Sequence, residues 1–267
     1  MADVSLAKLL EISLEAGREI LDVYEKDISV ETKDDDSPLT EADQRAHQTI
    51  VSGLQEAYRD VPVLSEEGSD VAYADRKDWE AFLLVDPLDG TKEFIKKNGE
   101  FTVNIALIEG QYPALGVIYA PALDTFYFGR TGLGAFKLEG ASQADVADER
   151  RLVEASVRLP LAEESDVVNV VASRSHMSAE TEEFIEDLRG SNREVDVVSA
   201  GSSLKFCLVA EGKADYYPRY APTMEWDTGA GQAIVEAAGG SVVRYEDNER
   251  FYYNRENLKN GWFLAKG

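Results

Sequence analysis

Apolar positions at the start of the chain repeat at helical spacing. Leu6, Leu9, Leu10, Leu14, Ile20, Leu21 and Tyr24 fall on one stripe, opposite Glu11, Glu15, Arg18, Glu19 and Asp22. That pattern predicts an amphipathic helix covering a core. Its polar face is acidic, the wrong sign for a membrane-surface helix. Residues 31–38 read as a charged loop. A second helix is expected from near Thr40, where Leu39 acts as a staple and Thr40-Glu41-Ala42-Asp43 has the form of a capping box. It carries Ala46, Ile50, Leu54 and Tyr58 inward. Short apolar runs at 61–64 and 82–85 read as strands, the first entering Ser65-Glu66-Glu67-Gly68 and the second Asp86. Alternation through 102–108, 114–119 and 125–128, with turns at Glu109-Gly110 and Gly129, predicts a mainly antiparallel meander.

The pattern changes near residue 141. Strands are expected at 167–172, 195–198, 242–245 and 262–265, and helices at 179–188, 204–211 and 227–238. The chain as a whole reads as α+β. Residues 1–140 form its N-terminal half, and residues 141–267 form a more α/β-like half. No repeat or flexible linker intervenes, so the halves should share an interface.

The chain has 267 residues, enough for a sizeable core, and 44% of them are hydrophobic, which argues against global disorder. Charge changes the picture more. Against 51 acidic residues stand 27 Lys and Arg, a net charge of −24. Such a surface repels phosphate polymers, so a nucleic-acid partner is not expected. A solvated surface explains most of the excess. A sharper reading is adaptation to high salt, which fails if stability proves indifferent to added salt. Cys207 is the only cysteine and His47 and His176 are the only histidines, too few for a disulfide or a histidine-rich zinc site. Met1-Ala2-Asp3 lacks the basic start of a signal peptide, and no stretch approaches the roughly 18 apolar residues of a membrane span. A cytoplasmic location is the expectation.

Glu66, Asp86, Asp89 and Asp227 all stand where strands or turns end. In Asp86-Pro87-Leu88-Asp89 the proline fixes φ and removes a donor, so a tight turn could aim both carboxylates and the Leu88 carbonyl at one point. Hard oxygen donors of this kind select Mg²⁺, Mn²⁺ or Ca²⁺. Taken alone, the motif is also an ordinary surface turn. Gly90-Thr91 then opens a short helix over 92–96, and free amides at a helix start suit an anion.

Asp86-Pro87-Leu88-Asp89-Gly90-Thr91 resembles the signature of the inositol monophosphatase superfamily of lithium-sensitive, magnesium-dependent phosphatases. Trp226-Asp227-Thr228-Gly229-Ala230-Gly231 resembles its second signature, and Ser65-Glu66-Glu67 its acidic third element. The resemblance runs from about Leu6 to the C-terminus. Gly90-Thr91-Lys92-Glu93-Phe94-Ile95, the run from Asn98 to Ile108, and Gly201-Ser202-Ser203-Leu204-Lys205-Phe206-Cys207 look like nucleotidases of the CysQ type. Such enzymes convert adenosine 3′,5′-bisphosphate to AMP and phosphate.

The resemblance implies a layered αβαβα sandwich. It implies two or three Mg²⁺ ions held by Glu66, Asp86, Asp89, Asp227 and the Leu88 carbonyl, with Glu67 behind them. Thr91 and Asp43 would activate water, although Asp43 is also accounted for by its capping box. Gly90, Gly201, Ser202 and Lys205 would cradle phosphate. Arg219 stands where inositol monophosphatases usually carry a glutamate, and an arginine there suits a second phosphate. Ser173 and His176 would approach the nucleoside. Lys33 and Lys92, with Lys96 and Lys97 farther out, would form a positive rim. The expected partner is a small nucleoside bisphosphate, with oligomeric state left open. An inositol monophosphatase or sugar bisphosphatase is the alternative enzyme, and a nucleotide sensor without turnover is the non-enzyme alternative.

Overall fold

The computed structural model describes residues 3–26, 30–32, 38–68, 71–145, 148–161, 166–172, 177–191 and 194–267. In chain order the first elements are α1 (Leu6–Tyr24), β1 (Val30–Thr32), β2 (Pro38–Thr40), α2 (Glu41–Ala57), β3 (Val63–Ser65), α3 (Tyr73–Arg76) and β4 (Ala81–Asp89). Then come α4 (Thr91–Ile95), β5 (Thr102–Glu109), β6 (Tyr112–Ala120), β7 (Thr125–Arg130), β8 (Gly134–Glu139), α5 (Glu149–Ala155) and β9 (Val157–Arg158). The remainder are β10 (Val167–Val171), α6 (Ala179–Gly190), β11 (Glu194–Val198), α7 (Leu204–Ala210), β12 (Tyr216–Arg219), α8 (Glu225–Ala237), β13 (Ser241–Arg244) and β14 (Phe263–Lys266).

Two sheets carry the fold. Strands β3 to β9 lie side by side in sequence order, antiparallel except for the parallel β3–β4 pair. The five-stranded sheet has the order β11-β10-β12-β14-β13, parallel in its first half and antiparallel in its second. Helices α1 and α2 cover one face of the large sheet; α8, with α7 beside it, fills the space between the sheets, and α6 covers the outer face of the small sheet. This is the expected αβαβα sandwich. The apolar stripe of α1 is buried as its periodicity requires, with Leu6, Leu9, Leu10 and Ile20 all inaccessible. One core joins α1 and α2 to the large sheet, and a second packs Leu64, Phe82 and Ile118 against Phe206, Ile234 and Phe263.

Several expectations need correction. Residues 30–32 and 38–40, at the flanks of the expected loop, pair as an antiparallel ribbon, while 33–37 lie outside the described residues. Gly129 is not a turn but an interior position of β7. A Cβ there would come within 2.9 Å of Ala237 and 3.1 Å of the Ile234 backbone, so the glycine lets α8 lie against the sheet. Strand β12, which holds Arg219, was not anticipated, because Pro218 argues against a strand interior. Pro218 is tolerated because β10 pairs with β12 only at Tyr216.

Candidate metal and phosphate site

The site lies where β3 and β4 end and four helices, α2, α4, α7 and α8, begin. The Asp86-Pro87-Leu88-Asp89 segment is not the expected turn. It is the last stretch of β4, with an irregularity in its pairing to β5. Asp86 pairs with Asn104 and Asp89 with Thr102, so three steps on β4 match two on β5. On a regular strand a spacing of three would put the carboxylates on opposite faces. The extra residue brings both to one face. Ser65 sits beside Val85 in the parallel β3–β4 pair, which sets Glu66 next to Asp86.

The helices deliver the rest. Thr40 caps α2, and Asp43 reaches back to it, its Oδ2 accepting from the Thr40 amide at 2.8 Å and hydroxyl at 2.7 Å. Its other oxygen, Oδ1, accepts from the Thr91 hydroxyl at 3.2 Å. The capping box and the pairing with Thr91 therefore coexist. Asp227 repeats the device on α8, with one oxygen accepting from the Met224 amide at 2.9 Å. Gly90, at φ 90°, is the left-handed residue that starts α4 at Thr91. The helix begins one residue earlier than expected.

These carboxylates strain one another. Burial, followed by the charges of Glu66, Asp89, Asp227 and Asp43, pushes Asp86 well above the usual carboxylate range. Asp227 is pushed up by burial and then by Asp89. Burial raises Asp89 to about 6, against the pull of Lys205 and the Ser203 amide. Clustered, poorly solvated oxygens of this sort call for a cation. Among the described residues no three acidic, histidine or cysteine side chains are gathered closely enough to hold one ion by themselves. Magnesium does not need such a cage: it takes one or two carboxylates and completes its shell with water and substrate phosphate. The donor set around this cleft fits that habit.

The cationic side is equally built. Lys205 and Arg219 line a cavity of about 70 Å³ together with Asp89, Ser202, Thr223 and Asp227. Burial and the neighbouring Arg219 hold Lys205 below the usual ammonium range, although Asp89 opposes them. The Lys205 ammonium donates to the Ser202 carbonyl at 3.1 Å, and Arg219 to the Pro222 carbonyl at 3.2 Å. The Arg219 Nε is buried without a partner. Both cations also line a second cavity of about 40 Å³, toward Ala172, Met177 and Tyr220. A roomier cavity, about 550 Å³ around Tyr112, Arg130 and Arg250, lies at the other end of β5 and holds none of these groups. Gly201 permits the loop's approach, since a Cβ would meet Glu100 at 2.7 Å.

The cleft thus gathers Asp43, Glu66, Asp86, Leu88, Asp89, Gly90, Thr91, Gly201, Ser202, Lys205, Arg219 and Asp227. Glu67 is half-buried beside His47, whose Nδ1 lies 2.9 Å from the Ser65 hydroxyl. Lys92 and Lys96 are exposed on or after α4. Lys97 is turned to the Lys26 carbonyl, 3.0 Å away, and so braces α1 rather than the rim. Lys33, Ser173 and His176 lie outside the described residues. Sequence reading missed Thr102 and Asn104. Their signal was two polar side chains, two apart, on a strand otherwise apolar up to Glu109.

A family model, the inositol monophosphatase family, matches residues 3–264. The chain belongs to that family. Its members are phosphatases and generally metal-dependent. The chain is 44% identical over 261 residues to the 3′(2′),5′-bisphosphate nucleotidase CysQ of Salmonella typhimurium, covering 97% of this chain and 98% of the relative. It is 43% identical, with the same coverage, to the CysQ of Escherichia coli K12. The crystal structure of CysQ from Bacteroides thetaiotaomicron superposes with a TM-score of 0.88 at 48% identity, covering 97% of this chain and 95% of that one. A Thermotoga maritima IMPase, at 23% identity and a TM-score of 0.71 over 96% of this chain and 89% of that one, shares the fold. No helix among the described residues is long and apolar enough to cross a membrane.

Proposed function

We propose that this protein is a magnesium-dependent 3′(2′),5′-bisphosphate nucleotidase that hydrolyses adenosine 3′,5′-bisphosphate to AMP and phosphate. The observation that carries the substrate class is the Lys205–Arg219 pair on one cavity with Asp89 and Asp227. Two adjacent cations, one with a buried unpartnered donor, suit a substrate with more negative charge than a single phosphate carries. The CysQ relatives named above support the same reading.

Glu66, Asp86, Asp89, Asp227 and the Leu88 carbonyl would hold two or three magnesium ions. Bound there, magnesium lowers the pKa of water and offsets charge on the phosphoryl oxygens. The chain's own part begins with Thr91. Its single hydroxyl proton goes to Asp43, which leaves oxygen lone pairs to orient the attacking water. The water oxygen bonds to phosphorus, one of its protons passes toward the Thr91–Asp43 pair, and the phosphorus–ribose oxygen bond breaks, its electron pair staying on the ribose oxygen, which takes a proton from solvent and leaves as the hydroxyl of AMP. Lys205, Ser202 and Arg219 hold the phosphates in place, an arrangement that counts because positioning dominates phosphoryl transfer.

Two measurements test this. Phosphate release from adenosine 3′,5′-bisphosphate should exceed that from inositol 1-phosphate by at least about tenfold in kcat/KM. The opposite preference would overturn the substrate reading. Asp43→Asn keeps an acceptor for the Thr40 amide and hydroxyl but loses the anion that accepts from the Thr91 hydroxyl. Its kcat should fall by about 10²- to 10⁴-fold with melting temperature nearly unchanged. Near-normal turnover would remove Asp43 from the mechanism.

A further inference from the structure

Thr102 and Asn104 interrupt a buried, otherwise apolar stretch of β5, and both are inaccessible to solvent. The irregularity in β4 sets them directly opposite Asp89 and Asp86. From the other side comes Ser203, the residue before α7. Its hydroxyl donates to Asn104 Oδ1 at 2.6 Å and lies 2.7 Å from the Thr102 hydroxyl. The Ser202 hydroxyl lies 3.2 Å from the same Thr102 oxygen.

Each hydroxyl has one proton, and that sets the direction of the chain. Ser203 spends its proton on Asn104, so Thr102 donates to Ser203. Ser202 must then donate to Thr102. The 3.5 Å separation of Thr102 from Asn104 is too long to compete. Polarity therefore runs from Ser202 through Thr102 and Ser203 to Asn104, whose Nδ2 is buried without a partner.

The two ends of this chain touch the two halves of the site. Ser202 lines the cavity with Lys205 and Arg219. Ser203 lines that cavity beside Asp89, and its backbone amide favours the ionised Asp89 carboxylate. An anion in the cavity competes for the Ser202 proton, and any shift of Ser203 acts on Asp89 directly. We propose that Thr102 is a positioning residue that couples phosphate occupancy of the Ser202–Lys205 cavity to cation binding at the carboxylates. The proposal rests on the preceding reading only in taking magnesium and phosphate as the ligands of these two places.

The test is a magnesium titration of the full chain by calorimetry, with and without saturating inorganic phosphate. Phosphate should tighten magnesium binding to the wild type by about tenfold. Direct attraction between the two ligands operates in every variant, so the difference between variants reads the hydroxyl chain. Thr102→Val keeps the shape and removes the hydroxyl; the gain should fall to about threefold or less. Thr102→Ser should retain it, and magnesium binding without phosphate should stay within about twofold of wild type in both. Ser203→Ala cuts the chain from the loop side while keeping the backbone amide. It should behave as Thr102→Val, and it carries the test if the valine variant does not fold. Full coupling in Thr102→Val or Ser203→Ala, equal loss in Thr102→Ser, or no coupling in the wild type overturns the proposal. A wild type that couples both ligands but does not hydrolyse adenosine 3′,5′-bisphosphate sinks the substrate reading and leaves this one standing.

Discussion

Asp86→Asn will melt at a higher temperature than the wild type in the absence of metal, and will be nearly inactive with magnesium. Asp86 is only 1% exposed and feels four other carboxylates. Asparagine keeps its shape and its acceptor for the Leu88 amide, which now lies 3.1 Å from Asp86 Oδ1. It removes the charge that burial and repulsion disfavour, so the metal-free protein should gain roughly 5 °C. Turnover should fall by at least about a hundredfold, since even groups one step behind a metal ligand cost that much. The sign can be checked through pH. An acid whose folded-state pKa is raised contributes stability that is full below its unfolded value and lost as pH rises through the folded one. For Asp89 those bounds are 3.8 and about 6, so the metal-free wild type should lose stability across that interval. Magnesium should restore it at neutral pH. Melting curves in chelator over pH read both effects. A lower melting temperature for Asp86→Asn would refute the repulsion account.

The second large effect is on folding. Glu225, two residues before Asp227, is fully inaccessible. It accepts from the Asn254 and Arg255 amides at 2.8 and 3.0 Å, and forms its ion pair with Arg255 at 3.0 Å. Burial pushes the Glu225 carboxyl up, and the Arg255 amide and guanidinium pull it down. Arg255→Ala leaves a buried carboxylate with amide donors alone, which should cost about 3–5 kcal/mol. In a chain of this length that is a fall of about 10 °C in melting temperature. The double variant Arg255→Ala/Glu225→Gln should recover part of the loss, because neutral glutamine needs no counter-charge. If Arg255→Ala melted within a degree or two of wild type, the pair would be ornamental. Since Glu225 and Asp227 share the first turn of α8, the single variant should also weaken magnesium binding.

Each feature's visibility in the sequence depends on the range of the interaction that makes it. The helices α1 and α2 were legible because a stripe at positions three and four apart needs no knowledge of the rest of the chain. The capping box was legible for the same reason, since Thr40 and Asp43 are three apart. Element ends shifted by a residue or two, as at α4. Glycines were the weaker signal. Gly129 looked like a turn because a sequence does not say which helix will lie against it, and α8 starts almost a hundred residues later.

At the site, residue types spoke early and geometry late. Four carboxylates at the ends of strands and turns, and a hydroxyl beside Gly90, were picked out as candidates from the sequence and its family resemblance, and the structure brings them to one cleft. The three-residue spacing of Asp86 and Asp89 did not reveal how both reach one face. That depends on an extra residue in β4, measured only against β5. The Thr102–Asn104–Ser203 chain was invisible for a plainer reason: its hydrogen bonds span about a hundred residues. The sequence by itself determined the helices, the strand-rich middle and the donor types, because periodicity, capping and side-chain chemistry are local. Only the tertiary structure decided which face each donor occupies, which cations share a cavity, and how the Ser202–Lys205 loop is hydrogen-bonded to the strand opposite the carboxylates. Those follow from register and packing between distant segments, where a shift of one residue reverses the outcome.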